Sequence, residues 1–176
     1  NKVFVNGIAV IIKDIDCTNG VIHAVNKVLM ASVGTIVQTA QGNNNLSYLV
    51  AAVLRASQGS TNVAAVLSSA GPFTVFAPIN QAFINAGFPT IASINAADPN
   101  TLTSILTSHV IAARVFSSDL VNYSTPGTVN GRKIKITLTG GAKVKGNSNA
   151  TPSNIILTDI MATNGVVHVI DQVLLP

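Results

Sequence analysis

The side chains of this 176-residue sequence that could carry chemistry are three histidines, six acidic residues, one cysteine and ten basic residues. All six acids are aspartates. His23, His109 and His168 stand far apart, without the i, i+4 pairing or adjoining carboxylate of a metal signature. Zinc needs four suitably spaced donors, and the sequence spaces none. Cys17 is the only cysteine, which excludes an internal disulfide, a cysteine metal cage and a catalytic dithiol. It reads as a small buried apolar side chain. The sequence has no Gly-x-Ser-x-Gly elbow, no phosphate loop and no Gly-x-Gly-x-x-Gly. No pair of aspartates stands out for acid–base work. The expectation is therefore no catalytic residue, no metal, no cofactor and no enzyme. His23 and His168 lie inside apolar strands and read as buried imidazoles bonded to nearby backbone or side-chain groups. His109, between a helix and a strand, reads as packing too.

Half of the basic residues fall in one stretch: Arg132, Lys133, Lys135, Lys143 and Lys145. In an extended strand Lys133 and Lys135 point to one face and Ile134 and Ile136 to the other, and Lys143 and Lys145 alternate likewise beyond Gly140-Gly141. If the two strands pair, four ammonium groups share a face that would attract anionic polysaccharide or an acidic surface in a salt-dependent way. The competing reading is a set of lysines that keeps a sheet edge from pairing. Nucleic acid is not the expected partner, because no aromatic residues interleave with the charges.

These residues must be positioned by elements the local sequence announces. Asn6-Gly7, between Val3, Val5 and Ile8, Val10, Ile12, predicts a hairpin. Residues 32–70 read as helical, with Ser32, Asn45 and Thr61 as caps and Leu46, Leu49, Val50, Val53 and Leu54 as one buried face. Gly71-Pro72 ends the run. A strand over 73–77 follows, then a short helix from Asn80, and a helix begun by Asp98-Pro99. Strands are expected at 109–111, 114–116, 128–129, 132–138, 142–145, 154–158 and 166–170. Helices in the first half and strands in the second argue for an α+β fold with a mostly antiparallel sheet. The composition, 48% apolar and 9% charged with a net charge of +4, suits an ordered domain of ordinary size. No apolar run reaches the roughly 18 residues a membrane-spanning helix needs. No signal peptide pattern opens at Asn1, which leaves a cytosolic chain or a processed one. Three sequons, at Asn45, Asn122 and Asn149, matter only in a eukaryotic secretory pathway.

The two ends repeat. Residues 14–29 read DIDCTNGVIHAVNKVL, and residues 159–174 read DIMATNGVVHVIDQVL, without a gap. The 145-residue offset is a plausible domain length. Residues 1–30 therefore read as the C-terminal strands of a preceding copy, and 31–176 as a complete domain. The apolar 1–30 segment is expected to pack on the rest or to self-associate through a sheet edge.

Residues 31–176 resemble the fasciclin domain family. Thr74 to Phe83, with Phe76, Pro78 and Asn80, resembles its first signature box. Asn164, Gly165 and His168, within the stretch that runs on to Pro176, resemble the second. His109-Val110-Ile111 with Arg114-Val115-Phe116 and Asp119-Leu120 resembles the segment between. The resemblance implies a wedge of sheet wrapped by helices in an extracellular, cell-surface or bacterial-envelope protein. It implies cell–cell, cell–matrix or surface adhesion through a cell-surface or matrix protein or a polysaccharide. In the family's animal matrix members, integrin binding is associated with a Tyr-His pair and an Asp-Ile motif. Their counterparts are Ser108-His109, without the tyrosine, and Asp159-Ile160-Met161, without the preceding Glu-Pro. The alternatives to adhesion are a polyanion-binding module acting through the lysine hairpin and a structural spacer in a tandem array.

Overall fold

Strand β1 (Phe4–Val5) turns through Asn6-Gly7 into β2 (Ile8–Cys17). Both turn residues have positive φ, 50° and 78°, the requirement that selects Asn-Gly for a two-residue hairpin. β3 (Gly20–Val25) completes a small antiparallel sheet in the order β1-β2-β3. The fold is a computed structural model that describes residues 2–32 and 34–176. Val33, inside the expected helical run, lies outside the described residues, as does Asn1.

The run 32–70 resolves into short helices: α1 (Ile36–Gln41), a 3-10 turn at Asn44–Leu46, α2 (Ser47–Ala56) and α3 (Val63–Ser68). The caps expected at Ser32, Asn45 and Thr61 belong instead to Thr35, Asn43 and Asn62, whose side chains accept from Gln38 N, Asn45 N and Ala65 N. Each neighbourhood offers several Asn, Ser or Thr residues. The cap is the one whose oxygen reaches an unbonded N–H of the first turn.

β4 (Phe73–Pro78) leads into α4 (Asn80–Asn85), α5 (Ile91–Ala96) and α6 (Pro99–Thr107). Asp98 caps α6 by accepting from Thr101 N at 2.8 Å. β5 (Val110–Ile111), β6 (Lys135–Thr137), β7 (Lys143–Lys145), β8 (Ser153–Ala162) and β9 (Gly165–Ile170) follow. The expected strands at 114–116 and 128–129 do not form, because their backbone groups bond elsewhere. Val115 N donates to Thr74 Oγ1, Thr128 N to Arg132 O and Val129 N to Val110 O.

The main sheet has the order β5-β4-β9-β8-β7-β6. All its pairs are antiparallel except β4 with β9, which run parallel from Phe73↔Gly165 to Pro78↔Ile170. The helices cover one face, where Leu46, Phe83, Ile94 and Leu102 meet Val75, Val167 and Val169. On the other face Phe76, Ile134, Ile136, Val144, Ile170 and Leu174 form a second core. Each such buried side chain stabilises by about 1.5–3 kcal/mol relative to an exposed one. Among the described residues no helix is long and apolar enough to cross a membrane.

Candidate functional site

The β4–β9 pairing sets the two segments expected to carry the signature boxes side by side. Thr74, Phe76 and Pro78 lie opposite Val166, His168 and Ile170. At the entrance to β9, Asn164 is 5% exposed and makes three side-chain bonds. Its Oδ1 accepts from Ile36 N at 2.9 Å, and its Nδ2 donates to Leu67 O and Ser69 O at 2.8 Å each. One side chain thus closes the start of α1 and the end of α3. Gly165 is needed because a Cβ there would lie 2.1 Å from Phe73 O. Asn80, at the start of α4, accepts from Tyr48 N and donates to Asn44 O, tying α4 to α2 and the turn before it.

Two buried imidazoles hold the sheet's ends together. His109 donates from Nδ1 to Ile105 O and accepts at Nε2 from Leu174 N, each at 2.8 Å. Burial pushes its pKa from 6.5 down to about 4, against a smaller upward pull from the Ile105 carbonyl. His168 accepts at Nδ1 from Asp159 N, at 3.3 Å, and donates from Nε2 to Val115 O, at 2.9 Å. Burial lowers its pKa as well, opposed by the Val115 carbonyl and the Asp159 charge. Both rings are neutral, with both nitrogens committed to the backbone.

Asp159 sits at an irregularity of β8 with φ 62°. Its carboxylate accepts from Ser117 N at 2.7 Å and from the Ser117 hydroxyl. Asp159 and His168 together latch residues 115–117 onto the β8–β9 hairpin. Ile160 is half-buried and packs against the helix-side core. Ile160 and the half-buried Met161 also line a cleft of about 510 Å³ between β8 and the N-terminal segment. Gly7 abuts the Asp159 carboxylate there.

The N-terminal hairpin repeats this construction. Its pairs Val10↔Val25, Ile12↔Ala24, Ile15↔Ile22, Asp16↔Val21 and Cys17↔Gly20 match, at an offset of 145, every pair of β8 and β9. Asp14 has φ 59°, and its N–H donates to His23 Nδ1 at 3.1 Å. Burial differs, however. His23 and Cys17 were expected inside and are exposed, whereas their counterparts His168 and Ala162 are buried. Among the described residues nothing equivalent to β4 or to 115–117 packs on β3. Only Ile8 to Val10 and Ala24-Val25 of the hairpin strands are half-buried, and Ile11, Ile12, Val21 and Ile22 are exposed.

The basic residues gather elsewhere. β6 and β7 pair with Lys135 opposite Lys145 and Thr137 opposite Lys143. Lys133 and Arg132 lie just before β6, at the turn after Asn130. Among the described residues no cluster of three His, Cys, Asp or Glu side chains could hold a metal ion.

The Fasciclin domain profile matches residues 1–31 and 44–176. The chain belongs to the fasciclin domain family. Its relatives include the uncharacterized protein sll1735 of Synechocystis, 43% identical over 140 residues, which span 80% of this chain and 96% of that protein. The transforming growth factor-beta-induced protein ig-h3 of Oryctolagus cuniculus is 29% identical over 163 residues, 93% of this chain and 22% of the relative. The solved fasciclin domain pair of the insect cell adhesion molecule Fasciclin I shares the fold, with a TM-score of 0.65 at 20% identity. That match covers 97% of this chain and 61% of the other.

Proposed function

We propose that the chain is an extracellular, cell-surface or envelope adhesion module that makes attachments through protein or glycan contacts. The observation that carries this reading is the division of its polar groups. The buried His109 and His168 are used up on backbone partners, while Lys133 and Lys135 and the apolar Ile11, Ile12, Val21 and Ile22 of the N-terminal hairpin are exposed. Family membership and the likeness to a cell adhesion molecule support it. Of the residues associated with adhesion in the family, Asp159, Ile160 and Met161 border the cleft, which supports reading it as the protein contact. His109 supports the sheet from within.

Residues 1–30 are read as the terminal hairpin of a second unit of the same fold, with 31–176 as a whole unit. The shared strand register and the shared Asp–His bond favour this reading. In a tandem array the body of that unit would cover β3; in its absence the hairpin offers a surface for self-association.

The test is attachment of animal, plant and bacterial cells to surfaces coated with the purified chain. Attachment of at least one cell type above an albumin-coated control is expected. Attachment no better than albumin throughout would reject adhesion and leave the spacer reading.

A further inference from the structure

The adhesion reading leaves the ligand open, and the β6–β7 face narrows it. Ile134, Ile136 and Val144 point inward and are at most 2% exposed. By alternation the exposed Lys133 and Lys135 and the half-buried Lys143 and Lys145 project from the opposite face. Outward residues of one strand repeat about every 6.6 Å, and neighbouring strands lie about 4.8 Å apart. The ammonium stems therefore stand in three rows: Lys133, then Lys135 beside Lys145, then Lys143 beside Thr137. The stripe runs along the strands for about 13 Å.

Among the described residues none of these four lysines, nor Arg132, forms an ion pair with a carboxylate. The carboxylate of Asp171, beyond the end of β9, is taken up by Asn154 and Ser153. Lys135 Nζ lies 5.5 Å from the centre of the exposed Tyr123 ring. Lys135 and Lys145 are directly opposed, an arrangement of like charges that works against strand pairing.

Edge protection does not account for these charges, because the outer edge of β6 is already covered. Ile134 N donates to Pro126 O, Ile136 N to Ser124 O, and Tyr123 N to Ile136 O, at 2.9–3.1 Å. Residues 123–126 thus occupy the backbone groups that edge lysines would otherwise shield.

We infer that the outward face of β6 and β7 binds an anionic polysaccharide, carboxylated or sulfated, laid along the two strands. The inference rests on the adhesion reading and names the ligand of one contact surface. A linear polyanion presents regularly spaced charges and needs no apolar anchor, which matches a flat face carrying lysine rows. A protein partner would need a dry anchoring pocket, and single-stranded nucleic acid would need free aromatic faces. Tyr123, whose exposed ring lies beside the stripe, already carries Lys135.

The test uses the full chain on immobilised heparin and on polygalacturonate. A double variant, Lys135→Gln with Lys145→Gln, is compared with Lys2→Gln with Lys27→Gln, which removes the same charge elsewhere. The wild type should be retained on at least one column at low salt. The Lys135/Lys145 variant should bind roughly 25-fold more weakly, about fivefold per ammonium group. Its log K against log salt slope should be shallower by about one for each lysine removed. The Lys2/Lys27 variant should behave as wild type, and all three proteins should keep the same urea midpoint within error.

Equal weakening of the two variants would overturn the inference in favour of net charge alone. Failure of the wild type to bind either column would overturn it outright. Tighter binding to single-stranded DNA than to both polysaccharides, at matched salt, would replace it with nucleic-acid binding. Cell attachment without polysaccharide retention would sink this inference and leave adhesion standing. Lysine-dependent retention without attachment of any cell type would uphold the site and sink adhesion.

Discussion

Asn164 and Asn19 occupy the same place in the same Thr-Asn-Gly turn, one buried and one exposed, and substituting each by alanine separates local from tertiary effects. Asn164→Ala removes the acceptor for Ile36 N and the donor to Leu67 O and Ser69 O. Leaving a buried polar group unpaired costs about 1–3 kcal/mol, and a carbonyl that can still find water lies at the low end. For one N–H and two carbonyls the total is about 3–5 kcal/mol. A chain of this size loses roughly 2–4 °C of Tm per kcal/mol, so a fall of about 6–20 °C is expected. Asn19→Ala makes no such loss and should stay within about 0.5 kcal/mol of wild type. The assay is urea and thermal unfolding followed by helical circular dichroism, which reports the body because the six α-helices among the described residues lie between Ile36 and Thr107. If the two substitutions agree within about 0.5 kcal/mol, the claim that Asn164 closes α1 and α3 is wrong.

Gly165→Ala drives a methyl group into Phe73 O and should cost about 3 kcal/mol or prevent folding, whereas Gly20→Ala meets nothing within 4 Å and should be nearly silent; matched unfolding curves compare them. Asp159→Ala should destabilise by about 2–3 kcal/mol, having lost both Ser117 bonds and placed alanine at positive φ, against about 1 kcal/mol for Ser117→Ala. Equal urea midpoints for the two would remove Asp159 as the latch. Stability should fall on acidification: the fold keeps His109 and His168 neutral, while the unfolded chain takes up protons below pH 6.5. The His109 contribution is fully present above pH 6.5 and declines by about 3 kcal/mol as the pH approaches 4. Urea midpoints between pH 7.5 and 4.5 check it, and a flat profile would contradict the burial of both rings. Exposed Ile12 and Ile22 should make the chain self-associate at micromolar concentration, and Ile22→Lys should reduce this in sedimentation velocity; a monomer at all concentrations would count against the hairpin as a contact surface.

Elements governed by neighbouring residues were legible in the sequence. Asn6-Gly7 forces a tight turn wherever it stands between strands, and Asp98-Pro99 starts α6 by capping its first turn. The amphipathic spacing of α2 put Leu49 and Val53 inside, although Leu54, counted on the same face, is exposed. α5 carries a weak local signal, the Thr90–Ser93 capping pair around its first turn. The strand expected at 114–116 failed because Thr74 and His168, remote in sequence, capture Val115 instead. Alternation also placed Lys135 and Lys145 outward, but only the ladder showed them opposed, and only the 123–126 contacts showed the β6 edge already covered.

The repeated segment draws the line between the two kinds of information. DIDCTNGVIH and DIMATNGVVH by themselves determine one hairpin: the same register, the same positive-φ aspartate and the same backbone bond to histidine. These depend on backbone dihedrals and on side chains a few residues apart. Whether that histidine is a neutral strut or an exposed ring, and whether the turn asparagine closes two helices or none, was decided only by tertiary structure. Burial and long-range bonds require other segments to arrive, and β4, α1, α3 and residues 115–117 reach one copy of the hairpin and not the other.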